Sequence, residues 1–152
     1  MKKLTLLLSL FSLLLAAEAQ NAEGYEIKVN LGSFMDSTAY MAYYYGKGQY
    51  YRDTAVVDGK GRIVFDGKDT LEHGMYSIIT SQAKLFDFVV DNQSIEFDSD
   101  TSNMVQNMKI KGSEENDRFY AYLKFLNLKQ GEAARIKSDE DLVNQQREEQ
   151  LL

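Results

Sequence analysis

Apolar and polar residues alternate along much of this chain with the period of a half-buried strand. Over residues 25–31, Tyr25, Ile27, Val29 and Leu31 fall on one face and Glu26, Lys28 and Asn30 on the other, which predicts a first strand with one wet side. Gly, Ser and Asp within 32–37 turn the chain. A second strand is expected over 38–45, aromatic on both faces because Tyr40 and Tyr44 alternate with Met41, Tyr43 and Tyr45. Two runs within 50–67 then flank Asp58-Gly59-Lys60-Gly61. That turn composition predicts a β-hairpin, with Ile63 and Phe65 on its buried face and Arg62, Val64 and Asp66 outside. Gly46-Lys47-Gly48 joins the second strand to the hairpin, so the pattern to this point is a meander. The hairpin's expected neighbours are the tyrosine-rich strand before it and the strand over 75–80 after it.

Short strands over 75–80, 85–90, 94–97 and 108–111 continue the series at intervals of about ten residues, without helical crossovers. Residues 98–107 form a polar excursion. The expected fold class is mainly β: an antiparallel β-sandwich or partly open barrel of about seven to eight short strands, followed by one or two C-terminal helices. The period changes at Gly112-Ser113. Ser113 is placed to cap a helix, and Glu114 and Glu115 suit its positive end. Phe119, Tyr122, Leu123 and Leu126 fall at helical spacing, with Phe125 and Leu128 widening the stripe. This helix is expected to pack against the sheet or cover one end, and to stop at Gly131. Ser138, with Asp141 three residues on, then starts a second helical segment.

The first residues carry a different pattern. Lys2 and Lys3 precede an apolar run over 4–15 and Ala17-Glu18-Ala19, the arrangement of a secretory signal peptide cleaved before Gln20. The run is shorter than the roughly 20 residues of a membrane span, and no cysteine stands beside it to carry a lipid. The expected organisation is therefore a signal peptide over 1–19, a β-rich domain over 20–130 with its capping helix over 113–130, and a helical linker or truncated tail over 131–152. The expected product is exported and soluble, periplasmic or secreted, with no membrane span after cleavage.

Composition narrows the chemistry. The net charge is −6, and removing Lys2, Lys3 and Glu18 makes it one unit more negative, which disfavours nucleic acid and anionic lipid as partners. With no cysteine, stability rests on core burial, and thiol redox chemistry has no residue in this chain to carry it. The run 98–103 starts like a calcium loop, but position six is Asn103 rather than Gly and position twelve is Lys109 rather than Glu. His73 is the lone histidine, too few for a structural zinc site or a recognisable nucleophile motif. The glycines at 46, 48, 59 and 61 sit in turns, with no helix following to hold a phosphate. Asp53, Asp66, Asp87 and Asp91 are carboxylates from which a glycosidase-type pair would be drawn, yet no spacing selects two of them. No catalytic, cofactor-binding or metal site is expected. The one feature with binding character is the tyrosine cluster Tyr40, Tyr43, Tyr44, Tyr45, Tyr50 and Tyr51. On a wet sheet face it would stack on a sugar ring or meet a protein; as ordinary strand formers, half would be core and the rest cross-strand pairs.

Several stretches together resemble a known arrangement: Gly24-Tyr25-Glu26-Ile27, Tyr43-Tyr44-Tyr45-Gly46, Asp53-Thr54, Asp58-Gly59-Lys60-Gly61 before Phe65-Asp66-Gly67, Gly74-Met75-Tyr76, Phe88-Val89-Val90-Asp91 and 108–116. The chain resembles the N-terminal domain of unknown function that precedes the thioredoxin-like domain in exported thiol-disulfide oxidoreductases of Bacteroidetes-type bacteria. The likeness covers 24 to about 128, and the Lys111-Gly112-Ser113-Glu114 run entering a helix is its most specific part. In such proteins a downstream domain with a Cys-x-x-Cys motif does the redox chemistry, so no catalytic residue carries over to this cysteine-free chain. The resemblance implies a non-enzymatic accessory domain, a shortened or truncated relative whose partner is a thioredoxin-like domain or another envelope protein. The alternative is a stand-alone ligand- or glycan-binding module that uses the tyrosine-rich face.

Overall fold

A computed structural model describes residues 24–32 and 34–149; the expected signal peptide over 1–19 lies outside them. The alternation read from the sequence is realised in the first strand, β1 (Tyr25–Asn30), where Tyr25, Ile27 and Val29 are buried together with Leu31 just beyond it. Seven more strands follow among the described residues: β2 (Thr38–Tyr45), β3 (Gly48–Val56), β4 (Arg62–Gly67), β5 (Gly74–Ile79), β6 (Lys84–Val90), β7 (Ser94–Asp98) and β8 (Lys109–Lys111). They form two four-stranded sheets, ordered β4-β1-β7-β8 and β3-β2-β5-β6. Every pairing is antiparallel except that of β1 with β7, which is parallel.

The inner faces of the sheets close on one apolar core. Ile27, Val29, Ile63, Phe65, Ile95 and Phe97 come from the first sheet and Met41, Ile78, Phe86, Phe88 and Val90 from the second. Phe97 meets Phe86 and Phe88 across the gap, with ring centroids 5.4 and 5.2 Å apart. The architecture is a mainly β sandwich rather than a closed barrel.

Residues 50–67 do not make the expected hairpin. The turn itself is as read: Asp58 N–H donates to Arg62 O at 2.9 Å, and the Asp58 carboxylate accepts the N–H groups of Lys60 and Arg62. The flanking strands, however, part into different sheets. β3 pairs with β2 and β4 pairs with β1, while β5 lies beside β2 and not beside β4. The physical reason is that both strands carry inward apolar residues, Ala55 on one and Ile63 and Phe65 on the other. They bury more by facing each other across the core than by lying side by side. A tight turn specifies reversal of the chain; pairing is decided by the core. The meander expected for the first half of the chain is accordingly replaced by strands that change sheet.

The polar excursion over 98–107 contains a short helix, α1 (Met104–Asn107). Met104 and Val105 pack against the core, and Ser99 Oγ donates to Met104 O at 2.8 Å. After β8 the chain enters one long helix, α2 (Glu114–Glu149), which corrects the expected stop at Gly131 and restart at Ser138. Gly131 has room on all sides and no left-handed φ, so nothing stops the helix there. Its cost of about 1 kcal/mol is spread over a run rich in Ala, Glu, Lys and Arg.

Candidate functional site

The start of α2 is built as the sequence implies. Ser113 Oγ accepts the Asn116 N–H at 3.1 Å, the N-cap bond. One turn on, the Asn116 side chain pairs with the backbone of Val89 on β6, the outer strand of its sheet. Tyr120 Oη donates to Asp87 O at 3.0 Å, also on β6. Three polar groups along a strand edge thus end in side chains of the helix rather than in another strand, which closes an edge otherwise open to pairing. Lys124 Nζ caps Met108 O at 2.9 Å.

Beyond this anchor the helix leaves the sandwich. Phe119, Tyr120 and Leu123 face the body, whereas Tyr122, Phe125 and Leu128, expected in the packed stripe, are exposed. The face of α2 is set by Asn116 and Tyr120, one turn apart, so residues about half a turn round from them point to solvent. Residues 127–144 are exposed throughout, Ile136, Leu142 and Val143 among them. Among the described residues no helix is long and apolar enough to cross a membrane.

The tyrosine cluster does not form one platform. Tyr40, Tyr44 and Tyr51 stand on the outer face of the β3-β2-β5-β6 sheet. Tyr40 and Tyr51 meet edge to face at 5.4 Å, and Tyr44 Oη donates to Asp87 Oδ1 at 3.2 Å. Asp87 also takes the Ser77 hydroxyl and the Lys84 ammonium. Burial opposes ionisation there, but these donors hold the carboxyl below its usual range. Tyr43 and Tyr50 lie on the other side of the sheet, 5.7 Å apart, and Tyr43 continues to Tyr76 at 6.1 Å. Tyr45, at the end of β2, shares the parity of Tyr43 and is exposed. An unbroken aromatic row therefore runs from Phe97 through Phe88, Tyr76 and Tyr43 to Tyr50 at the rim.

At that rim the sequence reading missed a residue. The β2–β3 ladder shifts register between Met41 and Ala42, so that Met41 faces Asp53, Ala42 faces Tyr51, and Arg52 is the extra residue of a β-bulge. The bulge turns Arg52 and Asp53 together onto Tyr25. The guanidinium lies over the Tyr25 ring, 5.5 Å from its centroid, and Tyr25 Oη donates to Asp53 Oδ2 at 2.7 Å. Burial first, and then Asp53, push the Tyr25 phenol well above its ordinary value. No local signal in the sequence announces a bulge of this kind.

The 98–103 run and three of the four candidate aspartates have local partners. Asp100 accepts from the Ser102 hydroxyl first, and from the Asn103 N–H, the Asn107 amide and the Ser102 N–H, bonds that hold its carboxyl down to about 2; they organise the 98–107 loop and α1. His73 is exposed. Asp53, Asp87 and Asp91 serve Tyr25, Ser77 with Lys84, and the Glu115 N–H respectively. Among the described residues no three His, Cys, Asp or Glu side chains gather within metal-holding reach.

The fold and its surfaces thus define a β-sandwich module with a helix tied to one sheet edge and projecting past it. The chain belongs to the family described as domain of unknown function (DUF4369), whose model matches residues 25–119. The matched span takes in all eight strands and the first turn of α2 with Asn116, ending at Phe119. No curated protein and no solved structure matches the chain.

Proposed function

We propose that this protein is an exported, non-catalytic accessory module in which the sandwich is a scaffold and the projecting part of α2 engages a partner, a thioredoxin-like domain. The observation that carries this reading is the run of exposed helix beyond Leu126, where Ile136, Leu142 and Val143 are offered to solvent and not to the chain's own core. Burying these side chains against a partner is worth about 1.5–3 kcal/mol each, a gain the sandwich does not supply. The amino-terminal pattern of Lys2, Lys3 and the apolar run over 4–15 supports export, and the resemblance over 24–128 supports the choice of partner. A chain with no cysteine leaves thiol-disulfide chemistry to that partner. A glycan-binding platform is the weaker reading, because the six tyrosines divide between two sides of a sheet.

The test is a photo-crosslinking amino acid placed at Ile136 or Val143 in the cells that make the protein, with mass spectrometry of the products and of the mature amino terminus. The expected result is a mature chain starting at Gln20, joined to a protein bearing a Cys-x-x-Cys thioredoxin-like domain. Crosslinks confined to copies of this chain, or an unprocessed chain retained in the cytoplasm, would overturn the reading.

A further inference from the structure

The rim described above encloses a cleft of about 240 Å³, lined by Tyr43, Arg52, Thr70, Glu72 and Tyr76. Three features make it more than a surface dent. First, its charges are not ion-paired: among the described residues neither Arg52, whose guanidinium lies over Tyr25, nor Glu72 has an ion-pair partner within 4.0 Å, and they do not pair with each other. A cation and an anion that line one small cleft without meeting leave room for a ligand carrying both charges. Second, the walls are fixed. Tyr76 is buried and packed between Phe88 and Tyr43 with tilted rings, and Arg52 is held over Tyr25 by the bulge.

Third, the loop that supplies Thr70 and Glu72 is pinned at the residue between them. Gln93 Oε1 accepts the Leu71 N–H at 2.7 Å and Gln93 Nε2 donates to Leu71 O at 3.0 Å, while the Leu71 side chain is buried in the core. The site is therefore organised before any ligand arrives, which removes much of the ordering cost of binding.

We propose that this cleft binds a free amino acid with a flat or apolar side chain, its carboxylate on Arg52, its ammonium toward Glu72 and its side chain against Tyr43 and Tyr76. The volume lies below the roughly 300 Å³ at which sites for drug-sized ligands begin, which suits a molecule of this size. Planar guanidinium matches carboxylate through paired N–H donors, and the Tyr43 phenol and the Thr70 hydroxyl line the same cleft for the rest of the ligand's polar groups.

The experiment is a titration of the intact protein with L-phenylalanine, followed by two-dimensional NMR. N-acetyl-L-phenylalanine, which lacks the ammonium, and L-phenylalaninamide, which lacks the carboxylate, are titrated in parallel. The expected result is saturable shifts at Tyr43, Thr70 and Tyr76 with a Kd of about 1 mM or tighter, and at least about fivefold weaker binding of each single-charge analogue. Glu72→Gln, a change at an exposed position, is expected to erase the preference over the acetylated form. Arg52→Lys keeps the charge near Tyr25 and is expected to reduce the preference over the amide. Absence of saturation by about 10 mM, equal binding of all three compounds, or unchanged L-phenylalanine affinity in both variants would overturn the proposal.

Discussion

Asn116 presents its side-chain amide to both backbone groups of Val89, accepting the N–H at 2.8 Å and donating to the carbonyl at 2.6 Å. One fully buried side chain thus does for the edge of β6 what another strand would do. Replacing it by alanine strands the backbone groups of Val89 and removes a contact to Ser113. Asn116→Ala is expected to cost about 2–4 kcal/mol, seen as a lower urea midpoint with an unchanged m-value. The freed β6 edge should also make the variant more prone to self-association, readable by light scattering.

Two glycines give opposite expectations for the same substitution. Gly61 has φ +75°, and a Cβ there would collide with the Gly32 carbonyl where the two chain segments cross. Gly61→Ala is expected to destabilise the sandwich by about 2 kcal/mol or more. Gly131 is helical with open space around it, and Gly131→Ala is expected to favour the helix locally by about 0.5–1 kcal/mol. The first change should lower the urea midpoint; the second should raise helicity by circular dichroism and leave the midpoint of the sandwich in place.

Three of the ten tyrosines are expected to resist ionisation. Burial raises the phenols of Tyr25, Tyr76 and Tyr120 above the ordinary 10.0, with Asp53 adding to the effect on Tyr25 and Asp87 to that on Tyr120. Because these values are raised in the folded state, the stability they contribute is complete below the unfolded value near 10. It is lost as pH climbs toward the folded values. An absorbance titration should therefore show these three ionising only as the fold is lost, and Tyr25→Phe should remove one of them from the late step.

The sequence made the strands legible because each has one apolar face, as in Ile27 and Val29 or Ile63 and Phe65. It did not make their partners legible. The turn at Asp58–Gly61 reads the same whether the next strand returns alongside the last or crosses to the opposite sheet, and only the shared core decides. The capped entry of α2 was visible in Ser113 and the acidic turn after it. Its end was not, since a glycine stops a helix only when it adopts a left-handed conformation, and Gly131 does not. Among the candidate binding residues the tyrosines were conspicuous by number, but a strand places neighbouring residues on opposite sides. Arg52 went unnoticed because a bulge leaves no local mark in the sequence, and because Thr70 and Glu72 reach it from a loop tied down by a distant glutamine, Gln93.

Hydrogen exchange along α2 in the intact protein distinguishes a partner-seeking arm from a helix that belongs to the sandwich. The amides of residues 116–124 should be protected to the level of β6, to which Asn116 and Tyr120 tie this part of the helix. Those of residues 131–144 should exchange near the rate of a marginal free helix and become protected only when a thioredoxin-like partner, as proposed above, is added. Protection of residues 131–144 equal to that of β6 in the protein alone, unchanged by the partner, would contradict the role given to the helix.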